Sequence, residues 1–251
     1  MRYLFSIAYL GTHYHGWQTQ TNAEGVQEVV EKAMSKILRT KIAIVGSGRT
    51  DTGVHCRRQY FHADVAEPLN EKAFLINLNA LLPRDIAIHA IQQIHPEASA
   101  RYHATQRTYQ YIITRRKDPL LLGLAWHCFK PFDVATMNKA AALLIGAHDF
   151  ECFSKVKTDV NHFICTIKKA KWTAKGDLLI FDISANRFLR GMVRAIVGTL
   201  IDVGTGKISI NDFEIILKNK DRKQAGMNVP ANGLYLVDVK YPRKVFLIQE
   251  S

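Results

Sequence analysis

The stretch Gly46-Ser47-Gly48-Arg49-Thr50-Asp51-Thr52-Gly53-Val54-His55 sets one carboxylate, Asp51, between two hydroxyls, with an arginine two positions before it and three glycines nearby. Glycine tolerates positive φ and lets the backbone approach a ligand closely, so such a segment can bend sharply and present Asp51 into a cleft. It is not a phosphate-binding P-loop, because no Gly-Lys-Ser/Thr ends it. Nor is it a dinucleotide fingerprint, because the pattern after it is that of a strand rather than a helix. An Asx turn capped by Asp51 fits the same residues, and on local grounds both readings stand. In Arg107-Thr108-Tyr109-Gln110-Tyr111, alternation places Arg107, Tyr109 and Tyr111 on one strand face, where a tyrosine either stacks on a nucleobase or fills a core. A third signal lies in 186–203. At helical spacing Phe188, Leu189, Met192, Val193, Ile196, Val197 and Leu200 share one side, and Arg187, Arg190 and Arg194 cluster opposite, able to grip phosphates, pair with a carboxylate or face solvent. His13, His15 and His55 show no metal-ligand spacing and read as loop or core residues.

These residues need elements to hold them. Residues 2–10 alternate with period two, putting Tyr3, Phe5, Ile7 and Tyr9 on one face of a strand. Val26, Val29, Val30, Ala33 and Ile37 recur at three and four, which predicts a helix over 25–39. Strands at 41–45 and 59–65, a helix over 70–82 stopped by Pro83, and a strand at 86–94 complete a β-α-β-β-α-β order. The second half approximates the first, with strands at 109–114, 124–129, 162–172, 178–184 and 233–239 and helices at 133–145, 186–203 and 210–219. The expected fold is therefore α+β: two ferredoxin-like halves of split βαβ type with antiparallel sheets, a domain over 1–105 that carries the Asp51 loop and a second over 106–251.

Composition narrows the partners. The 251 residues are 47% hydrophobic and 22% charged, enough for one large or two modest cores, and disorder, collagen and coiled coil are excluded. Thirty-four Lys and Arg against 22 Asp and Glu leave a formal net charge of +12, which points to a polyanion. Mean hydropathy is -0.08, and no apolar run approaches the ~20 residues of a membrane span. The amino-terminal residues lack an export signal, and Cys56, Cys128, Cys152 and Cys165 form no CxxC pair or disulfide framework, so a reducing cytoplasm is the expected setting.

Several ordered motifs together resemble the tRNA pseudouridine synthase A family, from about Tyr3 to Tyr241. Tyr9-x-Gly11 with Gly16-Trp17-Gln18 and Val26-Gln27 is similar to the family's amino-terminal motif, and Gly46 to His55 to its GSGRTDxGVH signature. Arg101, Arg107-x-Tyr109-x-Tyr111, Gly146-x-His148-Asp149-Phe150, Phe188-Leu189-x-x-Met192-Val193-Arg194 with Gly198, and Pro230-Ala231-x-Gly233-Leu234-x-Leu236 follow in family order. Two departures show: Cys56 stands where the family commonly has Ala, and Ala98 where an aromatic is usual.

The resemblance implies two halves joined around a central cleft, and it implies roles. Asp51 would be the nucleophile that opens the uridine glycosidic bond, attacking the sugar or the base, so that uracil rotates and rejoins through C5. Arg194 would pair with Asp51 and keep it ionised, and Arg49 would help hold the extruded nucleotide. Tyr109 would lie against the uracil ring, with Leu234 as a nearby apolar wall. Basic clusters at Arg57-Arg58, Arg115-Arg116-Lys117, Lys168-Lys169-Lys171 and 218–223 would contact phosphates. The implied substrate is tRNA, at positions 38, 39 and 40 of the anticodon arm, taken by a homodimer with no metal and no cofactor. The rival reading is a non-catalytic basic RNA-binding protein; Asp51 speaks against it, because a pure binder gains nothing from a carboxylate facing phosphates. A nucleotide-phosphate enzyme built on the glycine loop is weaker still, for want of the Lys-Ser/Thr.

Overall fold

Alternating large side chains build β1 (Arg2–Tyr9), the first strand of the computed structural model, which describes residues 1–155 and 160–247. Phe5 stacks on Phe61 of β3 (His55–Asp64) with ring centroids 4.8 Å apart and meets Phe74 of α2 (Glu71–Leu81) at 6.2 Å. All three side chains are buried, each contributing roughly 2–3 kcal/mol of apolar burial. The helix α1 (Val26–Leu38) buries Val26, Val30 and Ala33 of the predicted stripe together with Met34, leaves Val29 and Ile37 half-buried, and packs on α2 and on β2 (Ile44–Gly46). Asn70 caps α2 by accepting the Ala73 N–H at 3.1 Å, and the helix ends just before Pro83. With β4 (Ile86–Ile94), the strands run antiparallel in the order β4-β1-β3-β2.

The second face of β1 is not polar, as a half-buried strand would have it. Leu4 lies in a cluster with Ile94, Ala98, Ala100 and Val245, so the segment 98–100 and the segment around 245 cover this side. Ala98, where an aromatic is usual in the resembling family, is a packed core residue of that cluster.

The chain divides into two compact units: Met1–Thr105 together with the residues from Leu236 onward, and Gln106–Tyr235. Residues 248–251, at the far end of the expected second domain, lie outside the described residues. The second unit is also α+β. Its strands β5 (Gln106–Thr114), β9 (Leu178–Ala185), β8 (Ile164–Lys175) and β7 (Gly146–Asp149) pair antiparallel in that order, and the two-residue β6 (Trp126–His127) runs parallel to β5. Three helices, α3 (Val134–Ala142), α4 (Met192–Gly204) and α5 (Ile210–Asn219), pack on one another, and α3 lies on β8. Strand β10 (Leu234–Lys240) carries the chain from the second unit back to the first.

Helix α4 differs from the expected 186–203. Gly191, at φ +73, occupies its N-cap, a conformation that stops the helix from extending further back. Arg187 and Arg190 therefore precede the helix, and only Arg194 of the three arginines rides on it. The charged helical stripe that the spacing predicts is thereby corrected.

Candidate active site

In the first unit the hairpin between β2 and β3 holds the Asp51 loop by bonds from several sides. The Ser47 N–H donates to the Tyr60 carbonyl at 2.7 Å, and the Val54 N–H to the Asp51 carbonyl at 3.1 Å, closing a turn behind the carboxylate. The amino-terminal motif supplies the opposite clamp: the Trp17 N–H donates to the Thr50 carbonyl at 3.2 Å, and the Gly53 N–H to the Tyr14 carbonyl at 3.3 Å. Gly16 lies so close beneath the loop that a Cβ there would come 2.4 Å from the Thr50 oxygen. His55 is fully buried, and its Nδ1 accepts the Gly11 N–H at 3.0 Å, which makes it a structural residue of the clamp.

Beneath the loop runs a buried relay. Tyr9 Oη lies 2.8 Å from Thr50 Oγ1 and 3.2 Å from Gln59 Oε1. An amide oxygen only accepts, so the Tyr9 proton goes to Gln59 and the Thr50 hydroxyl donates to Tyr9. Gln59 Nε2 then donates to the Gly48 carbonyl at 3.2 Å. Cys56 pairs with Tyr9 across β1 and β3, and its buried thiol is directed at the Ile7 carbonyl at 3.7 Å. Burial pushes the thiol far above the ordinary range, against the opposing influence of the Arg58 backbone and Tyr9. Asp51 itself is half-buried at the turn, and Arg49 is exposed. Arg57 and Arg58 are exposed on β3, where the register against β1 shifts between Ile7 and Tyr9. Arg58 lies 3.9 Å from Asp238, an exposed pair worth little.

In the second unit, the two tyrosines that look equivalent in sequence part company. Tyr111 is fully buried and donates to the Pro230 carbonyl at 2.8 Å; burial raises its phenol, against the nearby Arg194 charge. Tyr109 is half-buried and meets Phe188 edge-on at 5.2 Å. Arg194, in the first turn of α4, donates from Nε to the Val229 carbonyl at 2.6 Å. Leu234 is buried at the start of β10, just after Gly233, where a Cβ would strike the Tyr111 ring at 2.7 Å. Arg194, Tyr111 and the 229–234 segment thus form one cluster, while Tyr109 sits with Phe188.

Part of the basic surface is locally compensated. Arg116 pairs with Asp177 at 3.4 Å, Lys169 with Asp182 at 3.5 Å, Lys218 with Glu214 at 2.6 Å and Lys220 with Asp149 at 2.8 Å. Among the described residues no group of three or more His, Cys, Asp or Glu is gathered where it could hold a metal ion, and no helix is long and apolar enough to cross a membrane.

Sequence reasoning assigned no role to Gln59 or Tyr14 and read Tyr9 as a strand residue; it placed Phe188 on the apolar face of a helix, whereas α4 begins at Met192 and Phe188 meets Tyr109 before it. The sole signal for Tyr9 was its place in the amino-terminal motif, whose loop-clamping purpose appears only in three dimensions.

A family model described as tRNA pseudouridine synthase matches residues 6–103 and 140–242. The chain is 45% identical over 250 residues to tRNA pseudouridine synthase A of Parabacteroides distasonis, covering 99% of both chains. It is 47% identical over 250 residues to the protein of the same name from Porphyromonas gingivalis, covering 98% of this chain and 99% of the relative, and 45% identical over 247 residues to that of Bacteroides fragilis, covering 98% of each.

Proposed function

The chain belongs to the tRNA pseudouridine synthase family, and on that premise we propose that it isomerises uridines 38, 39 and 40 in the anticodon stem-loop of tRNA, with Asp51 as the nucleophile. The reaction breaks the bond from the ribose C1′ to uracil N1 and forms one from C1′ to C5; C5 loses a proton and N1 gains one. Substrate and product have the same atoms and electrons, so no electron carrier enters the scheme. A carboxylate suits it, because it can form a covalent adduct and release it without redox change.

One observation carries this reading: the clamped turn presents Asp51 on a loop held by bonds at Ser47, Gly48, Thr50, Gly53 and Val54. Fixing a nucleophile this way lowers the entropy of reaching the reacting geometry. In the same proposal Arg194 is the charge partner of Asp51, Arg49 steadies the extruded nucleotide, Tyr109 stacks on uracil and Leu234 packs beside it. Arg57 and Arg58 grip phosphates. The order β4-β1-β3-β2 in the first unit supports a ferredoxin-like half. A homodimer working in the cytoplasm belongs to the same reading.

The test is tRNA carrying tritium at uridine C5. The wild-type protein should release the label, because C5 becomes the glycosidic carbon, and Asp51→Asn should release none while binding tRNA with near wild-type affinity. Binding without release by the wild-type protein would favour a non-catalytic RNA binder. Asp51→Asn turnover within tenfold of wild type would remove Asp51 as nucleophile.

A further inference from the structure

Burying a phenol is favourable only if its hydroxyl finds partners, and phenylalanine would fill the same space without that demand. Tyr9 is 4% exposed and lies beside Trp17, at 6.1 Å between ring centroids, in a core that fills comparable positions with Phe5 and Phe61. Packing therefore does not account for the oxygen. Its partners do. The hydroxyl accepts from Thr50, the residue immediately before Asp51, and donates to Gln59, whose amide holds the Gly48 carbonyl. The two loop positions held this way lie on either side of Arg49, so one buried oxygen fixes the backbone that sets the direction of the next residue, Asp51.

We propose that Tyr9 is a positioning residue of the pseudouridine synthase reaction, its hydroxyl orienting the Asp51 loop through Thr50 directly and through Gln59 at Gly48. The proposal rests on Asp51 as the nucleophile. The relay lies on the core side of the loop, away from solvent, so its removal acts on the rate of the chemical step rather than on tRNA capture.

The test is single-turnover pseudouridine formation at saturating tRNA by Tyr9→Phe, Thr50→Val and the double variant, well below the melting temperature of each, with Asp51→Asn alongside. Tyr9→Phe and Thr50→Val should each slow the reaction about tenfold or more, the scale of a displaced reacting group, with the tRNA dissociation constant within twofold of wild type. The double variant should be no slower than the slower single, because both changes sever one bond. A Tyr9→Phe rate within twofold of wild type, a loss seen in tRNA affinity instead of rate, or fully multiplicative losses would each overturn the proposal. A role confined to stability would lower the melting temperature and leave the rate intact, and so would overturn it too. If Tyr9→Phe does not fold, Thr50→Val reads the same hydrogen bond by the same criteria. An active Asp51→Asn would remove the nucleophile reading beneath the proposal; an inactive Asp51→Asn beside a fast Tyr9→Phe would overturn the positioning role alone.

Discussion

The Nε of Arg194 donates to the carbonyl oxygen of Val229 at 2.6 Å, tying the first turn of α4 to the segment that leads into β10. A guanidinium can spend one donor on this backbone bond and still present a planar fork to a carboxylate, whereas a lysine offers a single ammonium. Arg194→Lys should therefore keep the positive charge and the fold yet lose at least a hundredfold in tritium release. A melting curve within a few degrees of wild type is the accompanying control, and near-normal release would mean that the fork has no part in the reaction.

Gly16→Ala tests the floor under the Asp51 loop. Its φ of +89 is one that side chains rarely adopt, and the new Cβ would meet the Thr50 oxygen at 2.4 Å. Strain and collision together should cost about 2–4 kcal/mol in urea unfolding. Gly176→Ala provides the comparison: φ is +58 there but nothing lies within 4 Å, so only the strain of roughly 1 kcal/mol applies. Equal losses at the two positions would mean that the collision with Thr50 is easily relieved.

Phosphate grip and aromatic stacking respond differently to salt. Replacing both Arg57 and Arg58 by alanine should weaken all tRNAs alike and flatten the slope of log affinity against log salt, by about 0.7 to 0.9 for each phosphate no longer neutralised. Tyr109→Ala should slow catalysis by the equivalent of roughly 1–3 kcal/mol and leave the slope unchanged. Fluorescence titrations at several salt concentrations separate the two, and a flattened slope for Tyr109→Ala would contradict the stacking role.

His62 makes the stability of the first unit sensitive to acid. Its Nδ1 accepts the Ala100 N–H at 3.1 Å, and burial, with the Arg2 charge adding to it against Asp64, lowers its pKa from 6.5 to about 4. Between those values the unfolded chain binds a proton at this position that the folded protein refuses, so stability falls as pH drops through the window and levels off, for this group, below it. The Asp64 carboxylate, held low mainly by its hydrogen bond to Arg2, contributes stability that is lost only in stronger acid. His62→Asn retains an acceptor and cannot titrate; its melting temperature should change less than the wild type's as pH falls from the ordinary histidine value of 6.5 to about 4. Parallel curves would assign the acid limb to other groups.

Long periodic segments were readable in the sequence because burial writes itself as spacing. Tyr3, Phe5, Ile7 and Tyr9 of β1 and Val26, Val30 and Ala33 of α1 are buried where the pattern puts them. Short or locally atypical elements were not: β7 is four residues, Gly-Ala-His-Asp, whose strand geometry comes from its pairing with β8. The start of α4 was misplaced because apolar residues continue at helical spacing through Gly191, and the backbone at one residue overrides the pattern. The glycine-rich loop around Asp51 announced itself by composition. What holds it did not, since Tyr9 reaches residues 41 and 50 positions away, and a hydrogen bond at that distance leaves no period behind. Tyr109 and Tyr111 illustrate the same limit: only the lid of residues 230–233 over Tyr111 separates a core tyrosine from a half-buried one.

The first unit is sewn shut by residues made long after the rest of it. Val245 completes the cluster around Leu4, its carbonyl accepts the His95 N–H at 3.3 Å, and Tyr241 donates to the Ala100 carbonyl at 2.6 Å. A ribosome adding about 5–20 residues per second needs roughly 7–26 seconds to cross the intervening stretch from Gln106 to Tyr235. Throughout that interval the nascent chain carries Leu4, Ile94 and Ala100 without their cover, an apolar seam open to chaperones until the late segment arrives.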